Sequence, residues 1–129
     1  MKNYRVLIVD DDSDVRDLVR GMLEPEGFEV VEAVDGRDAL AQASAALPNL
    51  ILLDLMMPVM NGSQFLAATG ALPKLSQVPV IIVTASDDET PQSERILGVL
   101  NKPFNITHLV AVVRAACRRF PEAVQRPTL

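Results

Sequence analysis

Three aspartates, one threonine and one lysine stand at or near the ends of short apolar runs in separate parts of the chain. The set consists of Asp10, Asp11, Asp54, Thr84 and Lys102. Carboxylate oxygens are hard ligands suited to Mg²⁺. An aspartate shielded by that cation can act as a nucleophile and form an acyl phosphate. An ammonium and a hydroxyl could then neutralise the oxygens of the phosphoryl group. These residue types therefore predict magnesium-dependent phosphoryl chemistry.

The three carboxylates would also need a cation for stability. At a separation of about 5 Å and an effective dielectric constant of roughly 20, each pair of carboxylates would repel by about 3 kcal/mol. Among the five residues, Asp54 is the strongest candidate for a functional role, because it lies within an apolar run where an unpaired charge is energetically costly. The other residues have simpler alternatives. Asp10 and Asp11 could be solvated loop charges, Thr84 could cap a helix, and Lys102 could lie on the surface.

The elements that must position these residues alternate between strands and helices. Strands are predicted at Val6–Val9, Phe28–Val34, Leu50–Leu55, Val78–Val83 and, more briefly, Val99–Asn101. Apolar residues at helical spacing predict helices that run from Val15 to Leu23, from Ala39 to Leu47, from Phe65 to Leu72 and from Ile106 to Cys117. A further helix is expected between Ser86 and Gly98, but the pattern there is poor and Pro91 interrupts it.

This order predicts an α/β fold, with one doubly wound, five-stranded parallel sheet covered by helices on both faces. The helix between the fourth and fifth strands should be short or irregular. Ligands of such sheets bind beyond the carboxyl ends of the strands. The candidate residues should therefore converge on one rim of the sheet.

Length and charge narrow the class of protein. The 129 residues suit one domain over residues 1–120, followed by a frayed tail at residues 121–129 that contains two prolines. The net charge of −5 argues against binding to nucleic acid or to an anionic membrane. The chain has a single cysteine, no apolar run long enough to span a membrane, and a start with no room for a signal peptide. These features together predict a soluble cytoplasmic domain.

Four strings of residues resemble the receiver domains of two-component response regulators. They are Val9-Asp10-Asp11-Asp12, Leu53-Asp54-Leu55-Met56-Met57-Pro58 with Asn61-Gly62, Val83-Thr84-Ala85, and Lys102-Pro103-Phe104. They occur in the family's order, and the resemblance covers about residues 4 to 120. It implies a flavodoxin-like strand order of 2-1-3-4-5 and a cis peptide bond between Lys102 and Pro103.

The resemblance also implies a role for each candidate residue. Asp54 would be the phosphoacceptor and a Mg²⁺ ligand, Asp11 a direct Mg²⁺ ligand, Asp10 a ligand acting mainly through water, the Met56 backbone carbonyl a further ligand, Thr84 the switch hydroxyl, and Lys102 the phosphate-binding cation. The phosphoryl group would come from a sensor histidine kinase or a histidine phosphotransfer protein. The domain would catalyse only its own phosphorylation and dephosphorylation, and it would signal to a downstream protein, as a monomer and without contacting nucleic acid.

Two features depart from the family pattern. Three positions before Lys102, where relatives usually have tyrosine or phenylalanine as a switch residue, this chain has Val99. The segment between Thr84 and Lys102 is also about one helical turn of 3.6 residues shorter than in typical relatives. The surface that normally reports the state of the pocket is therefore expected to differ.

Two alternative functions use the same residue types. A hydrolase of the haloacid dehalogenase type also combines aspartate, threonine and lysine around Mg²⁺. That family needs a second aspartate two residues after its nucleophile, where this chain has Met56. The second alternative is a receiver-like scaffold that works without phosphorylation, although an idle acidic cluster would cost stability.

Overall fold

Five parallel strands form one sheet in the order β2-β1-β3-β4-β5. The computed structural model describes residues 4–85 and 90–119. The strands are β1 (Arg5–Val9), β2 (Glu29–Ala33), β3 (Leu50–Leu53), β4 (Val80–Thr84) and β5 (Ile96–Asn101). The helices are α1 (Ser13–Leu23), α2 (Gly36–Ala45), α3 (Gly62–Gly70) and α4 (Ile106–Arg119), with short 3₁₀ turns at Glu24–Glu26 and Leu75–Gln77. The predicted fold class and strand order are confirmed.

The core consists of two apolar layers, one on each face of the sheet. Along β1, the side chains of Leu7 and Val9 join one layer, and those of Val6 and Ile8 join the other. Alternate residues of a strand point to opposite faces, so a strand buried on both faces must be apolar throughout. Helices α2 and α3 cover the first layer, and α1 and α4 cover the second. This two-sided burial explains the unbroken apolar runs in the sequence.

Several predicted boundaries are wrong by a few residues. Strand β3 ends at Leu53, so Asp54 directly follows the strand instead of lying within it. Strand β5 begins at Ile96 and not at Val99, and its pairing with β4 is irregular between Val80 and Ile81. Ile96–Gly98 belongs to this strand, although the segment was expected to hold part of a helix. An irregular edge pairing leaves no simple periodic signal in the sequence.

The connection between β4 and β5 was expected to contain a short or irregular helix. Its residues 90–95 form no helix, and its residues 86–89 lie outside the described part of the chain. A connection that joins neighbouring parallel strands in so few residues has little room for a full crossover helix.

Two apolar residues within the predicted helix ranges do not lie in the core. Leu18 keeps the helical spacing of α1, yet half of its surface is exposed. Leu72 is exposed as well and lies beyond the end of α3 at Gly70. The buried positions of α1 are Val19 and Leu23. Spacing identifies the helix, but the packing of neighbours decides which positions become buried.

The loop between β3 and α3, residues 54–61, is held against its neighbours by two glycines. The Gly36 amide donates to the Met60 carbonyl at 2.9 Å, and a Cβ at Gly36 would lie only 2.6 Å from that oxygen. A Cβ at Gly62 would lie 2.6 Å from the Asp54 carbonyl oxygen. Only glycine permits these backbone approaches. Gly62 is the first residue of α3, so the close approach joins the start of this helix to the backbone of Asp54.

None of the helices in the described residues is long and apolar enough to cross a membrane. The predicted tail at residues 121–129 lies outside the described residues. The domain boundary at residue 120 therefore stays a prediction.

The loop of residues 54–61, between β3 and α3, contains a residue with a strained backbone, Val59. Val59 has φ 67° and is 72% exposed, a left-handed conformation that is unfavourable for a β-branched residue. Val59→Gly should increase the free energy of unfolding in urea by about 1 kcal/mol, because relief of the strain outweighs the larger entropy of the unfolded chain. Val59→Ala, which keeps a Cβ, should gain less. A Val59→Gly protein no more stable than wild type would contradict the strain.

Candidate magnesium and phosphoryl site

The sheet itself places the first acidic residues of the site. Asp10 directly follows β1, and its amide donates to the Ala33 carbonyl at 3.1 Å. Asp54 directly follows β3, and its amide donates to the Val9 carbonyl at 3.0 Å. Sheet hydrogen bonding therefore continues one residue past each strand. The backbones of both aspartates are fixed side by side at the carboxyl edge of the sheet.

A lysine from the end of β5 bridges these two carboxylates. The Lys102 ammonium lies 2.6 Å from Asp10 Oδ2 and 3.3 Å from Asp54 Oδ2. The Asp10 and Asp54 side chains are only 3% and 5% exposed, so their charges are largely withdrawn from water. Buried charges persist only when they are paired. Lys102 supplies this pairing to both aspartates.

Asp11 completes the acidic cluster from a more open position. One carboxylate oxygen each from Asp10, Asp11 and Asp54 lie within 4.8 Å of one another, and Asp11 is exposed while the other two are buried. Mg²⁺ prefers a few carboxylate oxygens and keeps several water ligands. The donor set and its open side therefore fit this ion. Lys102 pairs with Asp10 and Asp54, so among the described residues the three-carboxylate cluster keeps an excess of negative charge.

Backbone amides orient the two buried carboxylates. The Asp12 amide donates to Asp10 Oδ1 at 2.9 Å, and the Met56 amide donates to Asp54 Oδ1 at 3.1 Å. Each carboxylate thus has one oxygen on an amide and the other on Lys102. Met56 was predicted to act through its carbonyl, and that role stays a prediction.

Burial and charge act on the pKa values of the bridged pair. Burial raises the pKa of Asp10, with a smaller increase from Asp54, and hydrogen bonds from Lys102 and Asp12 offset this only in part. Burial alone would lower the pKa of Lys102, but its hydrogen bonds and charge interactions with Asp10 and Asp54 outweigh that effect and raise it. Lys102 is therefore firmly cationic. The raised pKa of Lys102 reflects the negative charge of the two carboxylates beside it.

Thr84 is the last residue of β4 and is buried. Its carbonyl accepts a hydrogen bond from the Lys102 amide at 2.9 Å, and it pairs with Asn101 in the β4–β5 register. The Lys102–Pro103 peptide bond is cis, as predicted. All five candidate residues therefore lie on the same edge of the sheet.

Sequence reasoning missed two residues that support the site. Arg16 on α1 donates to the Asp10 carbonyl at 2.6 Å, and Gly36 holds the loop that follows Asp54. An arginine one helical turn further along, Arg20, donates its hydrogen bonds to Glu32 and Glu24 instead. The sequence carries no signal that would distinguish these two arginines.

Comparison with known proteins shows the family. A family model described as the response regulator receiver domain matches residues 6–114. The chain belongs to this family. It is 42% identical over 122 residues to the transcriptional regulatory protein CpxR of Escherichia coli strain K12, covering 89% of this chain and 50% of that protein. It is 36% identical over 129 residues to the phosphate regulon transcriptional regulatory protein PhoB of Klebsiella pneumoniae, covering 94% and 55%.

A solved structure supports the same assignment. The chemotaxis response regulator CheY4 of Vibrio cholerae matches with a TM-score of 0.78 and 32% identity, over 89% of this chain and 99% of that one. The chain spans about half the length of the curated relatives CpxR and PhoB. Receiver domains are signalling domains of two-component systems, not classical enzymes, and they generally bind Mg²⁺ at an acidic pocket. The family assignment therefore argues against the haloacid dehalogenase alternative.

The unequal exposure of the carboxylates predicts how the cluster responds to Mg²⁺. Asp11→Asn should raise the melting temperature without metal, because it removes one of the three carboxylates that repel one another in the cluster. It should shrink the increase in melting temperature that Mg²⁺ gives, since stabilisation by a ligand follows its affinity for the folded state. Thermal unfolding with and without Mg²⁺ measures both effects.

Asp17→Asn is a matched control, because Asp17 is an exposed aspartate on α1 outside the cluster. It should keep the full Mg²⁺ effect. Equal Mg²⁺ shifts in wild type and Asp11→Asn would show that Asp11 is not a ligand.

Proposed function

We propose that this receiver domain is a phosphorylation-activated switch in which Asp54 accepts a phosphoryl group. The donor is the phosphohistidine of a sensor histidine kinase or of a histidine phosphotransfer protein. Mg²⁺ is held by Asp10, Asp11 and Asp54, together with the Met56 carbonyl. The observation that supports this most directly is the Lys102 ammonium placed between Asp10 and Asp54 beside an open third carboxylate.

The contacts of Asp54 suit it to nucleophilic attack. Its Oδ1 accepts from the Met56 amide and its Oδ2 faces Lys102, so the carboxylate is oriented at both oxygens. Attack by a carboxylate oxygen on phosphorus would break the phosphorus–nitrogen bond of the phosphohistidine and leave an acyl phosphate on Asp54. Bound Mg²⁺ supplies positive charge to the phosphoryl oxygens.

Lys102 and Thr84 are proposed to hold the transferred group. The Lys102 ammonium already faces Asp54 and can follow the charge from the carboxylate to the phosphoryl oxygens. Thr84, at the adjacent strand end, is the proposed hydroxyl donor. Donors already in place around the developing charge need little reorganisation during transfer.

The output is proposed to be contact with a downstream protein. The acidic chain, with its net charge of −5, is poorly suited to direct contact with nucleic acid or with an anionic membrane. The two relatives named as transcriptional regulatory proteins are about twice as long as the region that they share with this chain. Any DNA-directed output would therefore belong to residues other than those matched here. A cytoplasmic location follows from the proposed kinase partner.

Phosphorylation should occur at one residue and require Mg²⁺. Incubation with acetyl phosphate or phosphoramidate and Mg²⁺ should add one phosphoryl group to wild type, measured by intact mass. Asp54→Asn should abolish the addition because an amide is not a competent nucleophile, and EDTA should suppress it in wild type. A phosphorylated Asp54→Asn protein would refute the assignment of Asp54, and an unmodified wild type would favour the phosphorylation-independent scaffold.

The face formed by β5 and α4 should couple only weakly to phosphorylation, and the domain should stay monomeric. In relatives, the switch hydroxyl moves toward the phosphate and an aromatic side chain of the fifth strand follows. Val99 occupies that position, is 42% exposed and is stiff at χ1, so it cannot make the same movement. The absence of a helix in residues 90–95 removes a further part of the face. A ligand shifts an equilibrium only through contacts that differ between its two states.

Sedimentation velocity with and without beryllofluoride tests this expectation, and we expect no change in mass. The opposite result would be a monomer-to-dimer shift that Ala111→Glu or Arg118→Glu removes, since both residues are exposed on α4. Such a shift would show that Val99 supports the switch after all.

A further inference from the structure

We propose that Arg16 is a positioning residue for the metal site, because it clamps the peptide group from which Asp11 projects. Its guanidinium donates from Nη1 to the Asp10 carbonyl at 2.6 Å and from Nε to Glu32 Oε1 at 2.9 Å. The inference rests on the proposed function in one respect only, namely that Asp11 is a Mg²⁺ ligand.

The clamped carbonyl controls the direction of Asp11. The Asp10 carbonyl and the Asp11 amide belong to one planar peptide unit, so fixing the oxygen fixes the plane that leads into the Asp11 Cα. The Asp10 amide donates to the Ala33 carbonyl, which is the last hydrogen bond of the sheet on this side of β1. The Asp10 carbonyl lies beyond that bond and accepts from Arg16. Within the described residues, the exposed Asp11 carboxylate makes no hydrogen bond or ion pair of its own. The direction of Asp11 therefore depends on its backbone.

Glu32 holds the guanidinium in place. Its second oxygen accepts from Arg20 Nε at 2.6 Å, and Arg20 in turn donates to Glu24 at 2.8 Å. Burial alone would raise the pKa of Glu32, but the hydrogen bonds from Arg20 and Arg16 outweigh it and lower the pKa, so Glu32 is ionised at neutral pH. The Arg16 side chain is only 13% exposed. An arginine that bridges a carboxylate and a carbonyl uses the forked geometry that lysine lacks.

The charge of Arg16 is largely balanced by its ion pair with Glu32. Its effect on the acidic cluster is therefore to hold the Asp10 carbonyl in place and not to neutralise the carboxylates. Groups that orient metal ligands without touching the metal commonly change metal affinity by 10- to 100-fold when removed. Loss of the clamp should therefore weaken Mg²⁺ binding even though all three carboxylates remain.

Arg20 provides a matched control. Arg16→Met and Arg20→Met each remove one of the two arginine partners of Glu32, but only Arg16→Met also frees the Asp10 carbonyl. Both variants should lose some thermal stability. A Mg²⁺ titration followed by backbone amide shifts should give about tenfold weaker binding for Arg16→Met and unchanged binding for Arg20→Met. Arg16→Lys, which keeps the charge and the aliphatic stem, should fall between wild type and Arg16→Met, and it serves if Arg16→Met does not fold.

A second measurement needs no metal. In the metal-free protein, the Asp12 amide, which donates to Asp10 Oδ1, should exchange its hydrogen faster in Arg16→Met than in Arg20→Met. Mg²⁺ affinity equal in wild type, Arg16→Met and Arg16→Lys would overturn the positioning role and leave the proposed function intact. A wild type that binds no Mg²⁺ would instead contradict the proposed function, and with it the metal-directed role of Arg16.

Discussion

The position of one ammonium group, that of Lys102, governs the arrangement of the site. Strands β1, β3 and β5 end at the same edge of the sheet. The residues that directly follow β1 and β3 are the buried aspartates Asp10 and Asp54. Without a cation, two buried carboxylates at this distance would separate or take up protons. Lys102 pairs with both carboxylates and so supports their close approach at the ends of β1 and β3. The third carboxylate, Asp11, is exposed, so the acidic cluster stays open to a cation from solution at an edge that the sheet already holds in place.

The loop that follows Asp54 is constrained in a different way, by backbone packing. Gly36 and Gly62 bring the chain close to the Met60 and Asp54 carbonyls, where no side chain would fit. Val59, which lies between Asp54 and Met60 in the sequence, adopts a left-handed backbone conformation that its β-branched side chain disfavours. Strain of this kind persists when the surroundings determine the backbone path. The loop beside Asp54 therefore derives its shape from its neighbours and not from its own residue preferences.

The sequence was sufficient for the parts of the structure that follow from periodicity and topology. Continuous apolar runs indicate strands buried on both faces, and parallel strands bring Asp10, Asp54 and Lys102 to one edge. It was not sufficient where partners in space decide the outcome. The irregular pairing that starts β5 at Ile96 and the exposure of Leu18 both depend on neighbours distant in the sequence. Arg16 escaped notice for the same reason, because only the position of β2 and Glu32 distinguishes it from Arg20.

The ends of β4 and β5 are tied to each other beside the pocket. The two proposed phosphoryl-binding residues, Thr84 and Lys102, are joined directly, since the Lys102 amide donates to the Thr84 carbonyl. A phosphoryl group drawn between them would pull on the ends of two neighbouring strands at once. In a sheet of close-packed strands, such a displacement cannot stay at one side chain. With Val99 too short to convert it into a side-chain rotation, the displacement is expected to appear as a shift of the strand ends and of the loops that they carry. A partner would then read the rim of the pocket directly.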